Sequence, residues 1–193
     1  GSRLSTRLRA PQLPVPSPHF FSNLLARLRD ERNSAIRQKL EAANTRILIT
    51  TPYFLPRPRS LRTLKKKARA GVEVSLLLPC ITDVPFSKWL AQSLYKELIK
   101  AGVRIYEYQP TILHAKTLIV DDWALVGSSN FNRRSSLRDL ELDYSPREFK
   151  TVQELLHQFR DDIAQSKEVK DVETTAASAM VARWLGQIFY SWF

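Results

Sequence analysis

The stretch LHAKTLIVDDWALVGSSNFNRRSS, Leu113 to Ser136, decides how the rest of the chain is read. Taken as a strand, LHAKTLIVDD alternates its side chains, so His114 and Lys116 project on one side, about 7 Å apart along the chain. Ala115, Thr117 and Ile119 then point the other way, into a core. An imidazole and an ammonium set side by side in a strand of Leu, Thr, Ile and Val are costly to bury without an anion between them, so an anion is expected there. Asp121-Asp122 followed by WALVGSS predicts a tight turn and a return strand, which bring Gly127, Ser128 and Asn130 back to the level of His114. Glycine permits close backbone approach, while hydroxyl and amide donate hydrogen bonds without adding charge. Together these groups describe a site for a phosphoryl group. A phosphodiester reaction needs a nucleophile, a proton donor to the leaving oxygen, and cationic donors on the non-bridging oxygens. That chemistry requires no metal and no other cofactor, and the sequence offers no carboxylate cluster for a metal.

Upstream of this stretch, short β-rich runs alternate with helical patterns: RILITT (46–51), a helix from Ser60, VEVSLLL (72–78), a helix from Pro85, and VRIYEY (103–108). Gly71 and Gly102 mark the points where each helix gives way to a strand. The pattern is βαβαβ, which predicts an α/β fold with a mixed, largely parallel sheet flanked by helices on both faces. In the first of these helices Leu61, Leu64 and Ala68 form the apolar side, and Arg62, Lys66 and Arg69 a basic side that reads as a solvated face or an anionic-surface patch. Phe20 to Asn44 reads as helical with a break at Asn33-Ser34. Asp139 to Tyr144 reads as a further strand, and Arg147 to Gln165 as a helix with Phe149, Val152, Leu156, Phe159 and Ile163 on one side. His157 and His19 read as surface or packed histidines.

Composition sets the outer bounds. At 193 residues and 44% hydrophobic, the chain can close one ordinary core, and its formal charge of +11 points to polyanionic company. Cys80 is the only cysteine, so neither an intrachain disulfide nor a cysteine metal cluster can form. Residues 1–19 read as a linker or cloning remnant, with four of the eleven prolines between Ala10 and Pro18. Residues 20–166 are expected to form the catalytic domain, and 167–193 a helical tail in which only Arg183 is charged from Thr174 onward. That tail is expected to pack on a protein neighbour or to lie in a lipid interface. No run of eighteen apolar residues predicts a transmembrane helix.

The residues of the opening stretch resemble the signature of the phospholipase D superfamily, H-x-K-x4-D-x6-G-S-x-N, with His114, Lys116, Asp121, Gly127, Ser128 and Asn130 in the matching places. Five residues rather than six separate Asp121 from Gly127, so the hairpin is one residue tighter. The resemblance implies a phospholipase D-like fold and catalytic roles for His114, Lys116, Asp121 and Asn130, with Asp121 mainly bracing the turn. It implies phosphate contacts from Gly127 and Ser128, and it matches Glu141 to an acid that hydrogen-bonds the catalytic histidine. TPYFLP (51–56), the LLLP run before Asp83, and LIKAGVRIYEYQP look like the second half of bacterial cardiolipin synthases over roughly residues 34–165. In such a sheet Tyr53 and Phe54, at a strand end, stand at the mouth of the site, although plain strand-end packing explains them as well.

The family's mechanism uses two such motifs, one histidine forming a phosphohistidine and the other carrying the proton. This chain has one motif. The resemblance therefore implies a second half in the same parent chain or a homodimer partner, and the proline-rich opening and the absence of an initiator methionine favour the former. The expected function is phosphatidyl transfer of the cardiolipin synthase type on a phosphatidylglycerol-like phospholipid, at an anionic membrane surface, the bacterial inner membrane being the expected location. The alternatives are a homodimeric, metal-independent nuclease or phosphodiesterase acting on nucleic acid, and a non-catalytic membrane-binding module.

Overall fold

The computed structural model describes residues 20–171. The linker, His19 and the apolar tail from Val172 lie outside the described residues. The elements run β1 (Phe20–Ser22), α1 (Ala26–Ala42), β2 (Arg46–Thr50), α2 (Pro58–Arg69), β3 (Glu73–Pro79), α3 (Pro85–Ile99) and β4 (Arg104–Tyr108). They continue through β5 (Thr117–Val120), β6 (Trp123–Gly127), α4 (Arg133–Leu137), β7 (Leu142–Tyr144), α5 (Phe149–Ala164) and β8 (Ser166–Glu168). All eight strands share one sheet in the order β1-β7-β6-β5-β2-β3-β4-β8.

The α/β class and the helices on both faces hold, but the sheet is mixed and mostly antiparallel. Only β2–β3 and β3–β4 pair in parallel; the other five neighbouring pairs are antiparallel. The reason lies in the connections. Parallel neighbours need a crossover helix, and only α2 and α3 join neighbouring strands that way. A two-residue turn joins β5 to β6, and a turn that short imposes antiparallel pairing.

Two further expectations change. Phe20–Ser22 is a strand paired with β7 rather than the start of a helix, and α1 runs through Asn33-Ser34 without a break. Asn33 there donates its side-chain amide to the Ser136 carbonyl at 2.8 Å, so the polar pair serves a tertiary contact. The sheet also extends past residue 166, because β8 pairs with β4 and the Val169 N–H bonds the Ile105 carbonyl.

Strand alternation splits the core between two layers. Ile47, Ile49, Val74, Leu76, Leu118 and Val120 face a cluster closed by Leu40 of α1, Leu64 of α2 and Tyr95 and Leu98 of α3. Leu48, Leu77, Tyr106, Ile119 and Ala124 face Val152, Leu156 and Phe159 of α5. Leu118 and Val120 share the parity of His114 and Lys116, so those two groups continue the row that faces α1–α3, beyond its apolar part.

The β5–β6 turn is braced by Asp121, which adopts a φ of 51° at the first turn position. Its carboxylate accepts the Asn44, Thr45 and Arg46 N–H groups, each at 2.9 Å, and the Thr45 hydroxyl at 2.8 Å. Burial pushes its pKa up, but hydrogen bonds from Arg46, Asn44 and Thr45 overcome this and bring it to about 2. A carboxyl depressed in the folded state contributes stability above its unfolded pKa and loses it as pH falls through the folded value. The Asp121→Ala variant is therefore expected to unfold in urea about 1–3 kcal/mol more easily at pH 7. The gap to the parent chain should narrow between pH 4 and pH 2 if this carboxylate is the brace.

Candidate active site

One end of the sheet collects the loops that matter: those following β2, β3, β4 and β6, and the starts of β5 and β7. Pairing of Thr50 with Thr117, Val126 with Thr117, and Gly127 with Asp143 sets their levels. Lys116 immediately precedes β5, and its carbonyl accepts the Gly127 N–H at 3.2 Å, so the two halves of the hairpin are tied at the level of the site.

The pair singled out in the sequence is brought together. Lys116 Nζ lies 3.1 Å from His114 Nδ1 and 3.3 Å from Nε2, and it donates to the His114 carbonyl at 2.7 Å. The His114 ring is exposed to solvent, and Lys116 is partly buried. Loss of water lowers the Lys116 pKa; the carboxylates of Glu141 and Asp83 oppose that shift without cancelling it. An ammonium held partly out of water beside an open imidazole attracts an anion more strongly than a solvated one.

The remaining residues divide. Glu141 hydrogen-bonds Ser128 Oγ at 2.5 Å rather than His114; the β6–β7 register sets Ser128 opposite Leu142, next to Glu141. Ser128 Oγ also accepts the Leu142 N–H at 3.0 Å, so its hydroxyl is engaged within the protein. At Gly127 a β-carbon would overlap Asp143 Oδ1, the Leu142 carbonyl oxygen and Asp143 Cα. Close strand approach thus requires that glycine. Asn130 donates its backbone N–H to Ser135 Oγ at 3.2 Å, and its Oδ1 is buried without a protein hydrogen bond. Asp121 sits at the opposite end of β5, where it braces the turn rather than facing His114.

Tyr53, on the loop after β2, is partly buried and donates to the Asp83 carboxylate at 2.8 and 2.9 Å. Burial first, then the hydrogen bond and charge of Asp83, push its pKa up to about 12. Phe54 is not at the mouth. It is 1% exposed and stacks on Phe131 at 5.9 Å, within the α1–α3 cluster, because the chain leaves strand geometry after Thr50 and the alternation of β2 no longer sets which way its side chains turn.

Sequence reasoning missed the foundation beneath the Gly127–Asn130 loop. Arg32 of α1 places Nε 2.5 Å from Asp143 Oδ2, with the two side chains 5% and 2% exposed. Ser129 Oγ donates to the same oxygen at 2.6 Å, and the Ser129 N–H donates to Oδ1 at 3.2 Å. A small cavity of about 20 Å³ touches Arg32, Asp143, Asn130 and Lys116 together. The available signal was Asp143, a charge sharing strand parity with Glu141. Among the described residues, no three His, Cys, Asp or Glu side chains converge as a metal site would need.

Comparison with known proteins agrees with this geometry. A family model described as "Cardiolipin synthase, PLD-like domain" matches residues 36–163. Cardiolipin synthase 2 of Bacillus anthracis is 37% identical over 131 residues, 67% of this chain and 26% of that protein. The chain thus spans about a quarter of the length of the curated relatives it matches. By structure it is similar to Nuc of Salmonella typhimurium, a phospholipase D family member, with a TM-score of 0.62 and 18% identity over 72% of this chain and 91% of that one. It is also similar to phosphatidylserine synthase of Haemophilus influenzae, with a TM-score of 0.61 and 17% identity over 83% and 42%.

Removing the positive partner of a buried pair strands the negative one, so Arg32→Met is expected to lower stability by about 3–5 kcal/mol in urea unfolding. Gly127→Ala should cost about 1–3 kcal/mol by forcing β6 and β7 apart, with a shift in the amide resonances of Ser128 and Leu142 as its local mark.

Proposed function

This chain belongs to the family of cardiolipin synthase, phospholipase D-like domains, and on that premise we propose that it is the carboxyl-terminal catalytic half of a cardiolipin synthase-type phosphatidyltransferase. The observation that carries the reading is the contact of Lys116 Nζ with both ring nitrogens of the exposed His114. His114 is one of two histidines in the reaction; the other comes from the second motif of the parent chain. One ring nitrogen of the pair attacks the phosphorus of a phosphatidylglycerol-like donor, the P–O bond to the headgroup breaks, and the second histidine gives its proton to the leaving oxygen. The glycerol hydroxyl of an acceptor phospholipid then returns a proton to that histidine and attacks phosphorus, and the P–N bond breaks. Lys116 holds a non-bridging oxygen throughout, where its partly desolvated charge acts most strongly on the transition state. Glu141 acts through Ser128 and through its field at Lys116.

The placement of apolar surface supports a lipid over a nucleic acid. Among the described residues, eight large hydrophobics are exposed, and six of them, Leu24, Leu25, Ile81, Ile112, Leu140 and Leu142, lie on loops or strand ends at the sheet end that carries His114, while Phe20 and Phe149 lie toward the other end. Such a collar suits acyl chains and the second catalytic half, and the formal +11 suits an anionic bilayer surface. No helix among the described residues is long and apolar enough to cross a membrane. Residues 20–169 form the catalytic unit in this reading, with the apolar tail as an interfacial segment.

In the full-length parent enzyme, His114→Asn is expected to cut cardiolipin formation from labelled phosphatidylglycerol by about 100- to 10,000-fold or more. Lys116→Ala should lower kcat comparably. Full activity in the His114 variant sinks the proposal. A purified chain that dimerises and cleaves single-stranded DNA without metal, in a parent that transfers no lipid, replaces it with the nuclease reading.

A further inference from the structure

Beside the Asn130–Asn132 loop, α1 and α2 enclose a second groove, of about 140 Å³, whose lining does not include His114 or Lys116. Its floor is Ile36, Leu40 and Phe131, and its rim carries Arg37 from α1 and Arg57 and Arg59 from the start of α2. Arg59 is neutralised by Glu41, at 2.9 Å with both side chains largely exposed. Arg37 donates only to the Ser34 hydroxyl, at 3.0 Å, and neither Arg37 nor Arg57 has a carboxylate partner among the described residues. Arg32, deeper in the groove, is committed to Asp143. Two arginines without a carboxylate partner thus line one concavity, while the basic residues further along α2 are partly paired: Lys65 with Glu97, and Lys67 with the Ala43 carbonyl.

We propose that this groove is a second anion site that takes the phosphate of a phospholipid headgroup. A guanidinium presents a planar fork of donors matched to a phosphate's oxygens, and two of them define an oxyanion position where a diffuse lysine face does not. The groove has room for a tetrahedral oxyanion with an ester carbon. Its neutral rim of Ser60, Thr63 and Asn33 side chains suits the polar remainder of a headgroup. The location gives the site a use. Asn130, Phe131, Arg32 and Ile36 line both this groove and the small cavity that reaches Lys116, so the two positions adjoin one another. Resting on the proposed phosphatidyl transfer, the groove holds the acceptor's own phosphodiester while its glycerol hydroxyl is offered to the phosphorus at His114. The donor and acceptor headgroups then have separate seats, and the specificity for a phosphorylated acceptor lies in Arg37 and Arg57.

The test compares two double variants that remove the same charge, Arg37→Ala with Arg57→Ala in the groove, and Arg62→Ala with Lys66→Ala on α2 outside it. Inorganic phosphate binding to the 193-residue chain, followed by amide shifts and titration calorimetry, is expected to weaken about tenfold or more in the groove variant and less than about twofold in the control. Equal loss in the two variants, or no loss in either, overturns the site. In the full-length parent the groove variant is expected to raise KM for phosphatidylglycerol as acceptor about tenfold with kcat nearly unchanged. Weakened phosphate binding with an unchanged acceptor KM means that the groove takes free phosphate, which overturns the headgroup assignment. His114→Asn should leave phosphate binding in the groove intact, so loss of transfer and loss of this site are separable results.

Discussion

The buried pair between Arg32 and Asp143 is the constraint from which the site follows. Two charges removed from water are tolerable only when each is fully engaged, and Asp143 is: it accepts from Arg32, the Ser129 hydroxyl and the Ser129 N–H. Because Arg32 belongs to α1 and Asp143 to β7, this one cluster fixes a helix, a strand and the loop after β6 in a single arrangement. Gly127 lets β6 approach β7 closely enough for the cluster to form. The loop that closes over the floor of the site is thereby held by electrostatics from below, and its open side is left to the ligand.

On the open side the polar groups are arranged as a graded field. His114 and Lys116 are in contact with each other, and the two carboxylates that act on Lys116 are each occupied by a hydroxyl, Glu141 by Ser128 and Asp83 by Tyr53. Hydroxyl donors draw charge away from a carboxylate's lone pairs without cancelling it. The carboxylates nearest Lys116 are thus turned toward other partners, and neither forms an ion pair with it among the described residues. Asn130 and Phe131 line both the small cavity beside Lys116 and the arginine groove, so the Gly127–Asn132 loop adjoins both.

The mixed sheet serves that arrangement. The parallel β2–β3–β4 unit brings the β2 and β3 loops, with Tyr53 and Asp83, to one end. The antiparallel β5–β6–β7 meander brings His114, Gly127 and Glu141 to the same end from the opposite direction. Antiparallel strands alternate starts and finishes at each edge, so loops from both ends of the meander's strands reach the site.

By itself the sequence determined what local periodicity carries. Alternation in LHAKTLIVDD placed His114 and Lys116 on one side, the run Asp121-Asp122 marked the turn, and apolar runs punctuated by Gly71 and Gly102 marked the parallel unit with its two crossover helices. The motif also foretold the contact of His114 with Lys116, because residues two apart in an extended segment are neighbours by local geometry alone. The tertiary structure alone decided which groups meet from afar: Arg32 with Asp143, Glu141 with Ser128 instead of His114, Phe54 with Phe131 in the core, and β1 and β8 at the sheet edges. Those contacts join residues as many as 124 positions apart, Phe20 of β1 with Tyr144 of β7. No spacing along the chain encodes such a meeting; it is fixed only when strand order and register are set by packing, which places the partners in three dimensions.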